Sequence, residues 1–547
     1  MTTEQTLQMT IESLAKVNEM QSRQLQVQSG QLKVQSGQIK DMAKRIAELT
    51  AQLAWFQRQM FGRKSEKILK LDDMPSLFED ADFGTEAESS DTEPEPKPEE
   101  EVVVKEHKRK KNAEPDPSWA DKLPVKETII YEPDGLDLNR YRRMGEETTY
   151  TIEFKPGELY RVAHVRPKYG LKDPTEPVEK GQGVLIADMP LLPIYKGMAG
   201  ASLLTEILMQ KYEYHMPFYR QIKQFAHLGM PGLKEPTMTG WFRRTMELLR
   251  PLYDALVAEI MSYDYCQADE TTTPVMNKAE HKTDKEYLWM VRAVMEGLVA
   301  FFYENGSRAG KVIKGLTDKY DFKGYLQCDG FTGYTSAYKP GTGVTLVNCM
   351  VHIRRYFEHA LDENRKAASW FLRKIQELYR IEHECDKAGM DYDQRRDERQ
   401  LHAKPILDEM KKWMEEEGIY YSEHTLIGQA VTYAYNRWPN MMNYLKDGRI
   451  RLDNNFAEQE IRPITLGRKN YLFCGNHAAV KDMCVVVSLL NTCRNHHVNP
   501  RLYLNDVIKK MPYWKNATQR ELAELLPHRW KLTHPDAVMP DLRELAK

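Results

Sequence analysis

No cysteine precedes Cys266 in this 547-residue chain, and only seven occur in all. An odd number of thinly scattered thiols builds no disulfide framework and suits a reducing cytoplasm. The thiol-free N-terminal half also excludes a zinc ribbon there, because His107 and His164 alone cannot complete a tetrahedral site. Long apolar runs are missing too: Leu298–Tyr303 and Met483–Leu490 fall far short of the ~18 residues of a membrane span. The N-terminus has no basic region followed by an apolar run, so no secretory signal is expected. Nor is there an excess of charge of one sign. With 78 Lys and Arg against 80 Asp and Glu the formal charge is −2, an average that by itself argues against a nucleic-acid protein.

That average hides an uneven distribution. Between Glu79 and Glu106 there are twelve acidic residues and two basic ones, Lys97 and Lys105, so this stretch carries −10 and leaves +8 for the rest of the chain. Its core, TEPEPKPEEE, is rich in Pro and Glu and poor in aromatics, a composition that buries too little surface to fold. Residues 69–115 therefore read as a disordered acidic linker ending in the basic cluster Lys108–Lys111. The simple role is a solvated spacer; a sharper one is an acidic mimic of DNA acting in cis. At roughly 150 residues per domain, the length allows three or four domains.

Before the linker, Ile11, Leu25, Leu32, Ile39, Ile46, Leu53 and Met60 recur on a seven-residue spacing, with Leu7, Leu14, Met42, Leu49 and Phe56 as a second series. This a/d seam predicts a coiled coil over residues 1–68 and a homo-oligomer, most simply a dimer, through residues 1–60. Asn18, Gln21, Gln28 and Gln35 make the first half of the seam polar, so the half from Ile39 to Met60 is expected to hold the helices together.

Residues 116–180 alternate in TYTIEF and ELYRVAHVRPKYG and predict a small β-rich module. Residues 181–260 have helical periodicity over Ser202–Tyr212, Pro217–Leu228 and Thr237–Leu249, with a Gly-containing turn before the last, capped near Thr237. A helix-turn-helix of this kind would set Arg243 and Arg244 near DNA phosphates; simple three-helix packing has the same pattern.

From Tyr263 the pattern changes to strands: YDYCQADET, EYLWMVRAVM and GLVAFFYE, a helix near Arg308–Leu316, then GYLQCDGF and GVTLVNCMV. Three strands, a helix and two more strands match a ribonuclease H-like order. Asp269 and Asp329 end the first and fourth strands, and if those strands are neighbours both carboxylates project at one edge and can share divalent metal. A third carboxylate is sought in DNNFAEQEIRP, where Asp453, Glu458 and Glu460 are available; Glu458 and Glu460 differ by ~200° around a helix, so only one can face the site. The domains expected are a core in two parts, 261–366 and 449–515, a helical insertion at 367–448 and a tail at 516–547.

The segments ADETTTPV, YLQCDGFTGY, CMVHIRRYF and DNNFAEQEIRPITLGRKNYLF, in this order, resemble the transposases of the insertion sequence 66 family. FGRKSEK, VRPKYG and LLTEILMQKYEYHMPFYRQIKQFAHLGM extend the resemblance over nearly the whole chain. It implies a multidomain α+β protein: coiled coil, helical DNA-binding region, and ribonuclease H-like core with a helical insertion. It also implies that Asp269, Asp329 and Glu458 are the acidic triad of a DDE recombinase, catalytic and metal-holding at once.

In that chemistry two Mg²⁺ ions, with Mn²⁺ as a substitute, activate the attacking oxygen and stabilise the leaving one. Hard cations favour carboxylates over His or Cys. Water would free a 3′-hydroxyl at the element end, and that hydroxyl would attack target DNA. His352, Arg354, Arg355, Arg462, Arg468 and Lys469 are candidates for holding phosphates, with surface ion pairing as their alternative. Asn454 and Asn455 are read as helix caps, and Trp241 and Trp438 as core.

Two departures from the family stand out: the cysteine-rich segment before the helix-turn-helix region is lost, which argues against zinc, and Gln459 stands where Arg usually follows the glutamate, leaving Arg462 as the nearest cation on that face. Cys349-x-x-His352 with Cys493-x-x-His496 has a zinc count, but Cys349 belongs to a buried strand. Expected partners are element-end and target DNA, with small accessory proteins of the same element, in a bacterial cytoplasm near the nucleoid. The alternatives are a domesticated DNA-binding or assembly factor with an inactive core, and a metal-dependent nuclease that does not join strands.

Overall fold

The computed structural model describes residues 157–160, 168–170, 184–186, 190–195, 197–339 and 341–540. The expected coiled coil, the acidic linker and most of the β-rich module lie outside the described residues. The chain divides into a large unit, described within Arg166–Lys223 and Leu233–Lys547, and a small one described at 157–160 and Gln224–Gly232.

In the large unit, β1 (Lys168–Gly170) pairs antiparallel with β2 (Val184–Ile186). Along the chain follow α1 (Ala201–Tyr212), α2 (Phe218–His227), whose residues from Gln224 on belong to the small unit, and α3 (Glu235–Ile260). The last is longer than its sequence suggests. It starts behind Lys234, with no side-chain cap, and continues through Pro251. Leu249, Leu252, Leu256 and Ile260 carry one buried face across the proline, and that burial outweighs the backbone hydrogen bond a proline removes.

The centre is a five-stranded sheet of β3 (Tyr265–Asn277), β4 (Lys282–Ala293), β5 (Leu298–Phe302), β6 (Gly324–Cys328) and β7 (Val344–Asn348), ordered β5-β4-β3-β6-β7. β3, β4 and β5 form an antiparallel meander. The chain then crosses through α4 (Lys311–Lys319) so that β6 runs parallel to β3, and β7 runs parallel to β6 after α5 (Thr332–Ala337). The outer edge of β5 is closed by α12 (His477–Asn495): Phe301 N donates to Ser488 Oγ at 2.8 Å and Val299 N to Thr492 Oγ1 at 3.2 Å. Hydroxyls one turn apart on that helix replace a neighbouring strand.

Beyond β7 come α6 (Met350–His359), α7 (Arg365–Lys387), α8 (Tyr392–Glu398), α9 (Lys404–Glu416) and α10 (Leu426–Met441), and then α11 (Asn455–Tyr471). Helices α6, α7, α9 and α10 share one apolar core. Phe357 stacks on Phe371 at 3.8 Å, Trp370 on Trp413 at 5.0 Å, and Trp438 is buried among them. Trp241 is buried in α3. The last α-helices of the described residues are Pro500–Lys510, Gln519–Ala523 and Pro527–Thr533. No helix among the described residues is long and apolar enough to cross a membrane.

Candidate active site

The parallel pair β3–β6 aligns Tyr265 with Tyr325, Cys266 with Leu326 and Gln267 with Gln327. Asp269 lies two residues beyond Gln267 on the same face of β3, inside the strand rather than at its end as the sequence suggests, and Asp329 directly follows the last residue of β6. Asn348 Nδ2 donates to Asp329 O at 2.9 Å, tying this corner to the end of β7.

A buried polar ladder brings in the third acid. Gln267 Nε2 donates to Gln327 Oε1 at 2.9 Å and to Asp453 O at 3.1 Å, while Gln327 Nε2 donates to Arg451 O at 2.8 Å. Tyr265 OH donates to Gln327 Oε1 at 2.7 Å and accepts from Arg451 N at 2.9 Å. The segment leading into α11 is thereby fastened to the two strands that carry the aspartates. Met350 N donates to Leu452 O at 3.0 Å and Asn454 N to Cys349 Sγ at 3.3 Å, so α6 and α11 begin side by side. Glu458, in the first turn of α11, consequently lies 3.7 Å from His352 Nε2 and 3.6 Å from an Arg355 Nη.

Burial, together with the neighbouring charges of Glu270, Asp329 and Glu458, pushes the Asp269 carboxyl well above the usual carboxylate range. The three acids, separated by 60 and 129 residues in sequence, are thus one electrostatic group. Among the described residues no three His, Cys, Asp or Glu side chains stand close enough to chelate an ion as placed. Each acid is turned onto a protein donor: Asp269 Oδ1 accepts from Glu270 N at 2.8 Å, Asp329 Oδ1 from Phe331 N at 2.9 Å, and Glu458 faces His352 and Arg355. The donor set nonetheless has the chemistry of a hard-cation site, since its groups are carboxylates whose charges, after burial, add to the raising of Asp269.

The other two acids of DNNFAEQEIRP point elsewhere. Glu460 is buried and held by Arg292 at 3.0 Å, Asn491 at 3.0 Å and Asn495 at 2.7 Å, so it locks α11 to β4 and α12. Asp453 accepts from Tyr379 OH at 3.0 Å and from Asn455 N at 3.1 Å. It is therefore Asp453 that supplies the side-chain cap; Asn454 occupies the N-cap position without one.

The expected phosphate-binding residues divide into groups. Arg355, His352 and Glu458 meet at the acids, and burial lowers the His352 imidazole to about 4, leaving it neutral at pH 7. Arg354 pairs with Glu358 at 2.6 Å. Arg468 donates to the carbonyl and, at 2.6 Å, to the hydroxyl of Thr272 in β3. Lys469 is exposed and Arg462 half-buried on the same helix; Arg243 and Arg244 are exposed on α3, where Arg243 pairs with Glu247 at 3.3 Å.

Sequence reasoning passed over Glu270. Its side chain is 1% exposed, accepts from Arg308 Nε at 2.9 Å and Tyr334 OH at 3.0 Å, and is pushed up to about 7 by burial and by Asp329, against the pull of Arg308. Its position directly after Asp269 in ADETTTPV was the available signal. Arg308 and Arg437, isolated in the sequence, had none.

Known proteins resemble this chain along most of its length. The model for "Transposase IS66 family" matches residues 196–482, that for "IS66 C-terminal element" residues 488–528, and that for "Transposase C of IS166 homeodomain" residues 48–128. Three relatives from Sinorhizobium fredii (strain NBRC 101917 / NGR234) are similar. Uncharacterized protein y4hP is 26% identical over 77% of this chain and 78% of its own length. Uncharacterized protein y4jD is 28% identical over 74% and 80%, and uncharacterized protein y4qI 28% over 72% and 72%. With one family model spanning more than half of the sequence, including all three acids, the chain belongs to the IS66 family of transposases.

Proposed function

We propose that this protein cleaves DNA at the ends of an insertion sequence and joins the freed 3′-hydroxyl to target DNA, using Asp269, Asp329 and Glu458 as the acids of a DDE site. The observation that carries this reading is that Asp329 and Glu458 lie near enough to Asp269 for their charges to add to burial and to Glu270 in raising its carboxyl. The strand order, an antiparallel meander followed by two parallel strands, supports a ribonuclease H-like core interrupted by helices α7 to α10.

The three carboxylates would hold Mg²⁺ or Mn²⁺. When bound, such cations supply Lewis acidity toward the attacking and leaving oxygens of an in-line displacement. The chain's own residues do the positioning. The Gln267–Gln327 ladder keeps β3, β6 and the start of α11 in register, so the acids stay together as charge shifts during transfer. Arg355 beside Glu458 and the neutral His352 offer hydrogen bonds to phosphate oxygens flanking the scissile bond. Water attacks the end phosphodiester, releasing a 3′-hydroxyl, and that hydroxyl then attacks a target phosphodiester with departure of the target's 3′-oxygen. No protein–DNA covalent bond is needed. The seam over residues 1–60 would pair two chains so that both element ends are held in one complex.

The test is a reaction of the purified full-length chain with DNA carrying the inverted repeats that bracket its gene, in Mg²⁺. Joined-end products are expected. Cleavage without joining would instead identify a nuclease, and binding without cleavage an assembly factor.

A further inference from the structure

A cavity of about 530 Å³ opens beside Asp329, walled by His352, Arg355 and Tyr356 from the core and by Tyr433 and Arg437 from the helical insertion. Its walls are two stacks of cations on aromatic rings. On one side the Arg308 guanidinium lies 4.1 Å from the Phe331 ring. On the other, Arg437 lies 3.6 Å from the Tyr433 ring, whose opposite face stacks on Tyr356 at 4.0 Å and 19°. Tyr433 is therefore covered on both faces, and Tyr356, 39% exposed, is the end of the stack where another ring can be added.

Arg437 makes no ion pair among the described residues; it donates to Gly330 O at 2.5 Å and Tyr433 O at 3.1 Å. A Cβ on Gly330 would come within 1.7 Å of Arg437 Nε, so only glycine lets this stack sit against the backbone directly after Asp329. His352 Nδ1 is buried without a hydrogen-bond partner and belongs to the same wall.

Planar rings beside Arg437, which has no ion pair among the described residues, and an unsatisfied imidazole nitrogen suit one kind of ligand: a flat heterocycle joined to a phosphate. A base inside a duplex has both faces covered by its neighbours, so a single ring-lined cavity can be filled only by a base that has left its pair. We propose that this cavity receives one unpaired nucleotide of the DNA end, adjoining the phosphate at Asp329, with its base on Tyr356 and its phosphate toward Arg355 and Arg437. The proposal rests on the reading of the acids as a DNA-processing site and adds a requirement for local strand opening. The helical insertion then supplies half of the substrate pocket through Tyr433 and Arg437.

The experiment compares the full-length chain binding a blunt fluorescein-labelled DNA duplex with the same duplex bearing a short single-stranded overhang. Fluorescence anisotropy is read in EDTA, so that binding is measured apart from cleavage and joining. The wild-type chain should prefer the overhang by about tenfold, within the range that stacking on one aromatic ring gives. Tyr356→Ala should lose that preference while keeping its affinity for the blunt duplex, and Tyr356→Trp should retain it. Equal affinity of the wild-type chain for both probes would overturn the proposal, as would an overhang preference that survives in Tyr356→Ala. Because no chemistry is read, a chain that shows the preference yet never joins ends would overturn the transposase reading and leave the pocket standing.

Discussion

Gln267 and Gln327 meet side chain to side chain at 2.9 Å across the parallel strands β3 and β6, two residues before Asp269 and Asp329. Both are fully buried, and their remaining donors hold the backbone at Arg451 and Asp453. The pair therefore sets the strand register and the starting point of the helix that bears Glu458.

Gln327→Leu would leave the Tyr265 hydroxyl proton, one Gln267 amide proton and Arg451 O without their partner in a dry environment, and an orphaned buried polar group costs about 1–3 kcal/mol. A stability loss of ~3 kcal/mol by urea denaturation is expected. Leu at both positions should recover part of it, since matched apolar partners leave fewer groups unsatisfied, but should not recover end cleavage.

Two glutamates two residues apart should behave oppositely. Glu458→Gln removes a carboxylate from the acidic cluster and should leave Tm nearly unchanged while abolishing Mg²⁺-dependent cleavage. Glu460→Ala takes the carboxylate away from buried Arg292, and breaking a buried ion pair costs about 3–5 kcal/mol. Its thermal melt should drop sharply, and whatever folds should cleave.

The paired glutamates also mark what the sequence can and cannot say. Helical geometry alone shows that only one of them can face the aspartates. Which one is decided by Arg292, Asn491 and Asn495, three partners on two other elements that no local pattern reveals. The two strands that bring Asp269 and Asp329 were legible as short apolar runs, but β3 continues past Asp269 to Asn277, paired all the way with β4, so that acid lies inside its strand and only Asp329 stands at a strand end. The run of α3 beyond Leu249 was not, because Pro251 is a local stop signal overridden by tertiary burial. Arg468, read as a DNA contact from its charge, has Thr272 as a hydrogen-bond partner because α11 ends along β3.

Stability should depend on pH through His496. Burial first, then the charges of Lys531 and His528, lower its imidazole to about 4. An unfolded histidine titrates near ~6.5. Below that pH the unfolded chain takes up a proton that the folded chain refuses. Stability from this group therefore falls as pH drops from about 6.5 to about 4, by at most ~1.4 kcal/mol per pH unit, and levels off below. Urea denaturation across that window should show a shallower slope for His496→Phe than for the wild-type chain.

The acidic stretch Glu79–Glu106 carries −10 in a chain of net −2. A chain lacking residues 79–106 should bind duplex DNA at least as tightly as the intact protein at low salt. Weaker binding in anisotropy titrations would assign the stretch a direct part in the complex.

The central claim is that Asp269, Asp329 and Glu458 act together on DNA. Its most direct measurement is a strand-transfer reaction on the element's own ends in Mg²⁺, with the wild-type chain beside Asp269→Ala, Asp329→Ala and Glu458→Ala, each checked for DNA binding. The account predicts joined products from the wild-type chain and none from any variant, all four binding the ends alike. Undiminished joining by any one of the three variants would contradict it.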